Sequence, residues 1–143
     1  MGKIAIVYWS GTGNTEAMAG AVAEGVRKNG SEADLFTASG FSADQTGAYD
    51  AIAFGCPSMG AEQLEETEFE PMFSACEDRL RGKNTALFGS YGWGDGEWMR
   101  NWEERCRVAG VNLVCDSVIC NGAPDDDALA ACRELGAALA GKK

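Results

Sequence analysis

The chain has no histidine among its 143 residues. Without an imidazole, Ser-His-Asp and Cys-His catalysis and every zinc site that needs a histidine ligand are excluded. No apolar run approaches the ~18 residues that a membrane-spanning helix needs. The first residues carry one charge and lead through a short apolar run into a glycine turn, which differs from a signal peptide. We therefore expect a cytoplasmic protein that does not enter a membrane.

Basic residues are scarce. Lys and Arg together number 12 against 22 Asp and Glu, which gives a net charge of -10 and a pI near 4.4. A protein that binds the phosphate backbone of a nucleic acid needs a basic face, and this composition disfavours one. We expect no nucleic-acid partner.

The six cysteines form no Cys-x-x-Cys pair, and their spacing matches no common iron–sulfur pattern. Several stand in apolar surroundings, so buried free thiols are favoured over disulfides. We predict no metal site. The cysteines are Cys56, Cys76, Cys106, Cys115, Cys120 and Cys132.

Apolar strand-like runs alternate with segments of helical period along the chain. The predicted strands are residues 3–9, 33–37, 51–55, 85–91 and 112–120, and the predicted helices are residues 14–29, 71–80, 98–109 and 126–140. Only a weak or reduced helix is expected between the second and third strands. This alternation predicts a single domain over residues 1–143, of the doubly wound α/β class, with helices on both faces of a five-stranded parallel sheet. Ligands of such sheets bind beyond the carboxyl ends of the strands.

The turn after the first strand is rich in hydroxyl groups and contains no basic residue. It reads Ser10-Gly11-Thr12-Gly13-Asn14-Thr15. Backbone N–H groups at a helix start, with hydroxyl donors around them, suit a phosphate group. Glu16 stands where a dinucleotide loop needs glycine, and the Walker A lysine is absent. An ordinary turn capped by Thr12 or Asn14 is the alternative.

The same turn resembles the FMN phosphate loop of flavodoxins. Two further segments, residues 55–60 and 89–96, resemble the flavin loops of short-chain, clostridial-type flavodoxins, and the similarity covers nearly the whole chain. The resemblance implies a flavodoxin-like strand order 2-1-3-4-5 and one non-covalently bound FMN.

The resemblance also assigns roles around the flavin ring. Trp93 would stack on one face and Met59 would pack on the other, while Glu62 would accept a hydrogen bond from flavin N3. The peptide between Gly60 and Ala61 would flip to stabilise the semiquinone. Because alanine disfavours a positive φ, we expect a weaker flip than in Gly-Gly relatives, which an Ala61→Gly variant tests through the semiquinone potential.

The remaining cofactor contacts are expected from the same loops. They are Pro57, Ser58, Ser90, Tyr91, Gly92, Gly94 and Asn121, together with the six residues of the first turn. Glycines at positions 89, 92, 94 and 96 would bring the backbone against a flat ligand. Trp9, Trp98 and Trp102 are assigned to packing.

By resemblance, the chain would be a monomeric, low-potential electron carrier and not an enzyme. It would cycle mainly between semiquinone and hydroquinone and serve redox proteins with basic patches, such as reductases, 2-oxo acid oxidoreductases and hydrogenases. Acidic residues around the loops would disfavour the anionic hydroquinone: Glu65, Glu66, Glu68, Asp95, Glu97 and residues 125–127. An FMN-dependent quinone reductase is the main alternative. A CheY-type signalling domain is disfavoured, because the first strand ends in Trp9-Ser10 instead of an acidic cluster.

Overall fold

A computed structural model describes residues 2–59, 63–92 and 94–141. Its strands are β1 (Lys3–Tyr8), β2 (Glu32–Thr37), β3 (Ala51–Gly55), β4 (Asn84–Tyr91), β5 (Asn112–Leu113) and β6 (Val118–Asn121). Its α-helices are α1 (Asn14–Lys28), α2 (Phe69–Glu77), α3 (Glu97–Val108) and α4 (Asp126–Leu139). Among these residues, none of the helices is long and apolar enough to cross a membrane.

The strands form one parallel sheet in the order β2-β1-β3-β4-β5, and β6 also pairs with β4. The predicted fold class and strand order are therefore confirmed. All carboxyl ends of the paired strands lie at one edge, which is where a doubly wound sheet binds its ligands.

The predicted fifth strand is divided into two short ones. Leu113 pairs with Thr85 and Val118 pairs with Phe88, so five residue steps on one strand oppose three on β4. The excess is a bulge. It contains Ser117, whose hydroxyl donates to a carboxylate oxygen of Glu103 at 2.6 Å. The strand pattern over residues 112–120 was right in position and direction but did not show this interruption.

Two short 3-10 segments, Ala38–Gly40 and Ala43–Ala48, stand between β2 and β3, in agreement with the expectation of a reduced helix. Gly30 follows α1 with a φ of 88°, and its N–H donates to the carbonyl of Arg27. This is the left-handed ending that the position of the glycine predicts.

Alternate residues of β1 serve two separate cores. Ile4 and Ile6 pack with residues of α1 and α4 such as Val22 and Leu135, whereas Ala5 and Val7 belong to the core that α2 and α3 cover. The helices therefore lie on both faces of the sheet. Trp98 and Trp102, each 2% exposed, are buried in the second core, which confirms their assignment to packing.

All six cysteines are free thiols. Four of them are buried, and Cys115 and Cys120 are partly buried. Burial raises the pKa of each thiol, so the cysteines behave as small apolar side chains, as predicted.

Candidate functional site

Four loops meet at the carboxyl edge of the sheet. Backbone hydrogen bonds continue past the strand ends: Trp9 N–H donates to the Gly55 carbonyl (3.0 Å) and Ser58 N–H to the Ser90 carbonyl (3.0 Å). Together the loops line a cleft of about 250 Å³. Its lining residues are Trp9, Gly11, Thr12, Asn14, Pro57, Ser58, Met59, Ser90, Tyr91, Gly92 and Gly122.

The turn before α1 presents backbone N–H groups at a helix start. The Ser10 hydroxyl oxygen accepts from the N–H of Gly13 (3.1 Å) and of Glu16 (3.3 Å), so Ser10, and neither Thr12 nor Asn14, holds the turn. Gly13 has a φ of 94°, a conformation that favours glycine. Within the part of the chain that the structure describes, the N–H groups of Thr12, Asn14 and Thr15 have no protein acceptor. They remain available to an anion.

Thr15 and Ser90 join the first turn to the end of β4. Their hydroxyl oxygens are 3.2 Å apart, and the two residues are 1% and 5% exposed. Thr15 does not line the cleft itself. It supports Ser90, which does.

Trp9 lines the cleft, although the sequence predicted only a packing role for it. Its indole lies against Gly11, where an added Cβ would stand 3.1 Å from the ring. The indole N–H donates to a carboxylate oxygen of Glu68 at 2.8 Å. Its ring also packs partly on the core. The position of Trp9 between a buried strand and a glycine-rich turn is the sequence feature that could have predicted a role in the site.

The loop after β3 is closed at its base. Met59 and Gln63 exchange two backbone hydrogen bonds, of 2.8 and 3.0 Å, and Met59 lines the cleft. The predicted ring contacts Gly60, Ala61 and Glu62 lie outside the described residues, as does Trp93 in the loop after β4.

Glu65, one of the acidic residues expected around the loops, is a buried carboxylate at the end of this loop and is 5% exposed. Burial acts to raise its pKa, but hydrogen bonds from Thr67, Phe69 and Glu68 outweigh burial and lower the pKa to about 2. The carboxylate is therefore ionised inside the protein.

The loop after β4 contributes Tyr91 and Gly92 to the cleft. The glycines in and before this loop have different roles. An added Cβ at Gly89 would stand 2.2 Å from the Cys56 carbonyl oxygen, so this glycine permits contact between strands and not with a ligand. Gly94, with a φ of 86°, is not among the lining residues.

Ser10, Gly13 and Asn121 also do not line the cleft. Asn121 ends β6, and the next residue, Gly122, faces the cleft instead. The Gly122 N–H donates to the Tyr91 carbonyl at 2.8 Å, which draws this loop toward the site. The irregular sequence of this last loop gave no pattern from which that contact could be predicted.

Several acidic residues at the starts of α2 and α4 have structural partners. The Asp125 carboxylate accepts from the Ala128 N–H at 2.8 Å and caps α4, and Asp126 and Asp127 stand in the first turn of that helix, where negative charge is favourable. Glu70 pairs with Arg105 at 2.7 Å. These acidic residues therefore stabilise the fold in addition to contributing negative charge.

The cleft combines an anion-binding helix start with an apolar wall of Trp9, Met59 and Tyr91. Such a site suits a flat aromatic ligand that carries a phosphate group. Within the described residues, no group of three or more His, Cys, Asp or Glu side chains could hold a metal ion.

Comparison with known proteins agrees with this geometry. Residues 6–136 match the family model described as flavodoxin. The chain is 42% identical to flavodoxin from Megasphaera elsdenii over 96% of this chain and 98% of the relative. It is 44% identical to flavodoxin from Clostridium beijerinckii over 94% and 97%. The solution structure of two-electron reduced M. elsdenii flavodoxin has a TM-score of 0.89, over 96% of this chain and 98% of that one.

Proposed function

This chain belongs to the flavodoxin family, and on that premise we propose that it is a low-potential, one-electron carrier. Flavodoxins are electron-transfer proteins whose cofactor is FMN. The observation that carries the proposal is the junction of a neutral, donor-rich helix start with an aromatic cleft at the carboxyl edge of the sheet.

The residues of the cleft fit FMN. The N–H groups of Thr12 and Asn14 would hold the phosphate, with the hydroxyls of Thr12 and Ser58 as further donors, while Thr15 would contribute through its support of Ser90. Among the described residues, no lysine or arginine lines this part of the cleft, so hydrogen bonds and the helix dipole would supply the binding energy.

The flavin ring would lie against the apolar wall. Trp9, Met59 and Tyr91 line the cleft and would exclude water from the ring, and Gly92 would let the backbone come close. Trp93, Gly60, Ala61 and Glu62 are proposed as ring contacts by the family resemblance. Asn121 is proposed as a cofactor contact only because its neighbour Gly122 lines the cleft.

Bound FMN supplies two successive one-electron steps, and we propose that the lower-potential step is the working one. The protein would depress its potential by placing carboxylates near the ring. A like charge at ~10 Å in a medium of effective dielectric near 20 costs about 1.7 kcal/mol. Glu65 is ionised and lies beside the loop after β3, so it would be one of these carboxylates.

Partners would be redox proteins with basic patches, including reductases, 2-oxo acid oxidoreductases and hydrogenases, because the chain carries a net charge of -10. The free, buried thiols suit a reducing compartment such as the cytoplasm. We propose that a monomer binds one FMN in the cleft at the carboxyl edge of the sheet.

Quenching of flavin fluorescence by the apoprotein tests the proposal. FMN is expected to bind in a 1:1 ratio and far more tightly than riboflavin, which lacks the phosphate. Failure to bind FMN contradicts the proposal. Steady oxidation of NADH by the purified protein alone favours the quinone-reductase alternative.

A further inference from the structure

Glu65 makes more hydrogen bonds than a solvated acidic residue would. One carboxylate oxygen accepts from the backbone N–H groups of Glu68 (2.8 Å) and Phe69 (2.9 Å). The other accepts from the N–H of Thr67 (2.9 Å) and from the Thr67 hydroxyl. Both oxygens are therefore saturated by donors, and the carboxylate caps the start of α2 from outside the helix.

The backbone of Glu65 is tied to the loop that follows β3. Its N–H donates to the Cys56 sulfur at 3.3 Å, and the Cys56 carbonyl accepts from the Trp98 indole N–H at 3.2 Å. Cys56 and Glu65 thus form the base of a closed loop whose inner pair is Met59 and Gln63. Met59, which lies inside this loop, lines the cleft.

The side chain of Glu65 is also connected, through Glu68, to Trp9, another residue of the apolar wall. It holds the backbone of Glu68, and the Glu68 carboxylate accepts from the Trp9 indole N–H. Trp9 and Met59 both line the cleft, and one buried residue connects them through short chains of hydrogen bonds.

From this geometry we propose that Glu65 is a positioning residue, which holds Met59 and Trp9 at the spacing that the flavin requires. The inference rests on the proposed function, because it concerns the same cleft. Glu65 does not line the cleft, so it acts only through other residues. This positioning effect on FMN is separate from the electrostatic effect of the Glu65 charge on the flavin potentials.

Two substitutions of Glu65 separate its role in positioning other residues from the effect of its negative charge. In Glu65→Gln, an amide NH₂ replaces one acceptor oxygen and faces N–H donors, so two hydrogen bonds are lost. In Glu65→Asp, the charge remains but the carboxylate is one methylene shorter. The matched control is Glu66→Gln, which removes the same charge from the adjacent, exposed position.

The test measures the FMN dissociation constant and both midpoint potentials of the four proteins, with thermal unfolding of each apoprotein. We expect both Glu65 variants to raise the dissociation constant at least tenfold, and Glu66→Gln to stay within twofold of the parent. Glu65→Asp should also shift at least one potential, although it removes no charge.

The inference is overturned if both Glu65 variants bind FMN as Glu66→Gln does and Glu65→Asp keeps the parent potentials, even when their melting temperatures fall. If Glu65→Gln does not fold, Glu65→Asp alone decides between the outcomes. A parent protein that fails to bind FMN contradicts the proposed function instead.

Discussion

At the scale of single residues, the described part of the cleft is lined by hydroxyl groups and amides and by no basic side chain. Ser90 is an example, since its hydroxyl meets that of Thr15 in the interior where water cannot replace a lost partner. A buried, unsatisfied hydroxyl costs about 1–3 kcal/mol. Small substitutions in this region therefore have measurable effects.

Ser90→Ala removes one member of the buried hydroxyl pair. We expect the free energy of unfolding of the apoprotein to fall by about 1–2 kcal/mol, measured by urea denaturation, with weaker FMN binding. The control is Ser39→Ala. Ser39 is exposed and its hydroxyl is 3.4 Å from that of Thr37, so its loss should change stability by less than about 0.5 kcal/mol. Equal effects of the two variants would contradict this reading.

The lowered pKa of Glu65 predicts how the stability of the folded protein depends on pH. Its pKa is about 2 in the folded protein and 4.5 when unperturbed. The folded pKa is the lower one, so the stabilisation is fully present above pH 4.5 and is lost as the pH falls toward 2.

Unfolding of the apoprotein by urea, at pH values from about 5 to about 2.5, measures this loss. Glu65→Gln should flatten the decline in the free energy of unfolding relative to the parent. Glu66→Gln should preserve it. A parent and a Glu65→Gln protein with the same slope would show that this carboxylate is not strongly hydrogen-bonded.

At the scale of elements, α1 and α4 pack through glycine. A Cβ added at Gly136 would stand 2.2 Å from the Val22 carbonyl oxygen, whereas one added at Gly20 has nothing within 4 Å. We expect Gly136→Ala to destabilise the protein by about 1–3 kcal/mol.

Gly20→Ala is the matched substitution in the same pair of helices. It should stabilise the protein by about 0.5–1 kcal/mol, because glycine is a poor helix former. Urea unfolding of both variants gives the comparison. A loss of stability in Gly20→Ala, or none in Gly136→Ala, would contradict the helix packing described here.

Local patterns predicted the elements well where one periodicity continued without interruption, as in α1 and α4. They failed where distant residues decide the outcome. The bulge between β5 and β6 depends on the register against β4, and α2 begins at Phe69 instead of Pro71 because the Glu65 carboxylate caps it from four residues away. The turn between β1 and α1 is local, so its sequence was sufficient to predict that a helix begins there. Trp9 and Gly122 reach the cleft only through tertiary contacts.

At the scale of the whole molecule, charge is distributed unevenly. Arg79, Arg81 and Lys83 cluster around a pocket beside the amino end of β4, at the opposite edge of the sheet from the cleft. Acidic side chains are concentrated in and after the loop that follows β3. This asymmetry favours approach of a basic partner to the cleft edge.

Electron transfer to a basic redox protein should therefore be slowed by salt. We expect the second-order rate constant, measured by stopped flow, to fall about tenfold or more between ~10 mM and ~0.5 M salt. A neutral small-molecule acceptor serves as the control and should show little dependence. A rate that rises with salt would contradict the proposed class of partner.

One-electron transfer by bound FMN is tested most directly by a spectroelectrochemical titration of the holoprotein. We predict two separate one-electron steps, with a long-wavelength absorption band that appears in the first and disappears in the second. The second step should have a potential well below that of free FMN. A single two-electron step without the intermediate band would contradict a one-electron carrier.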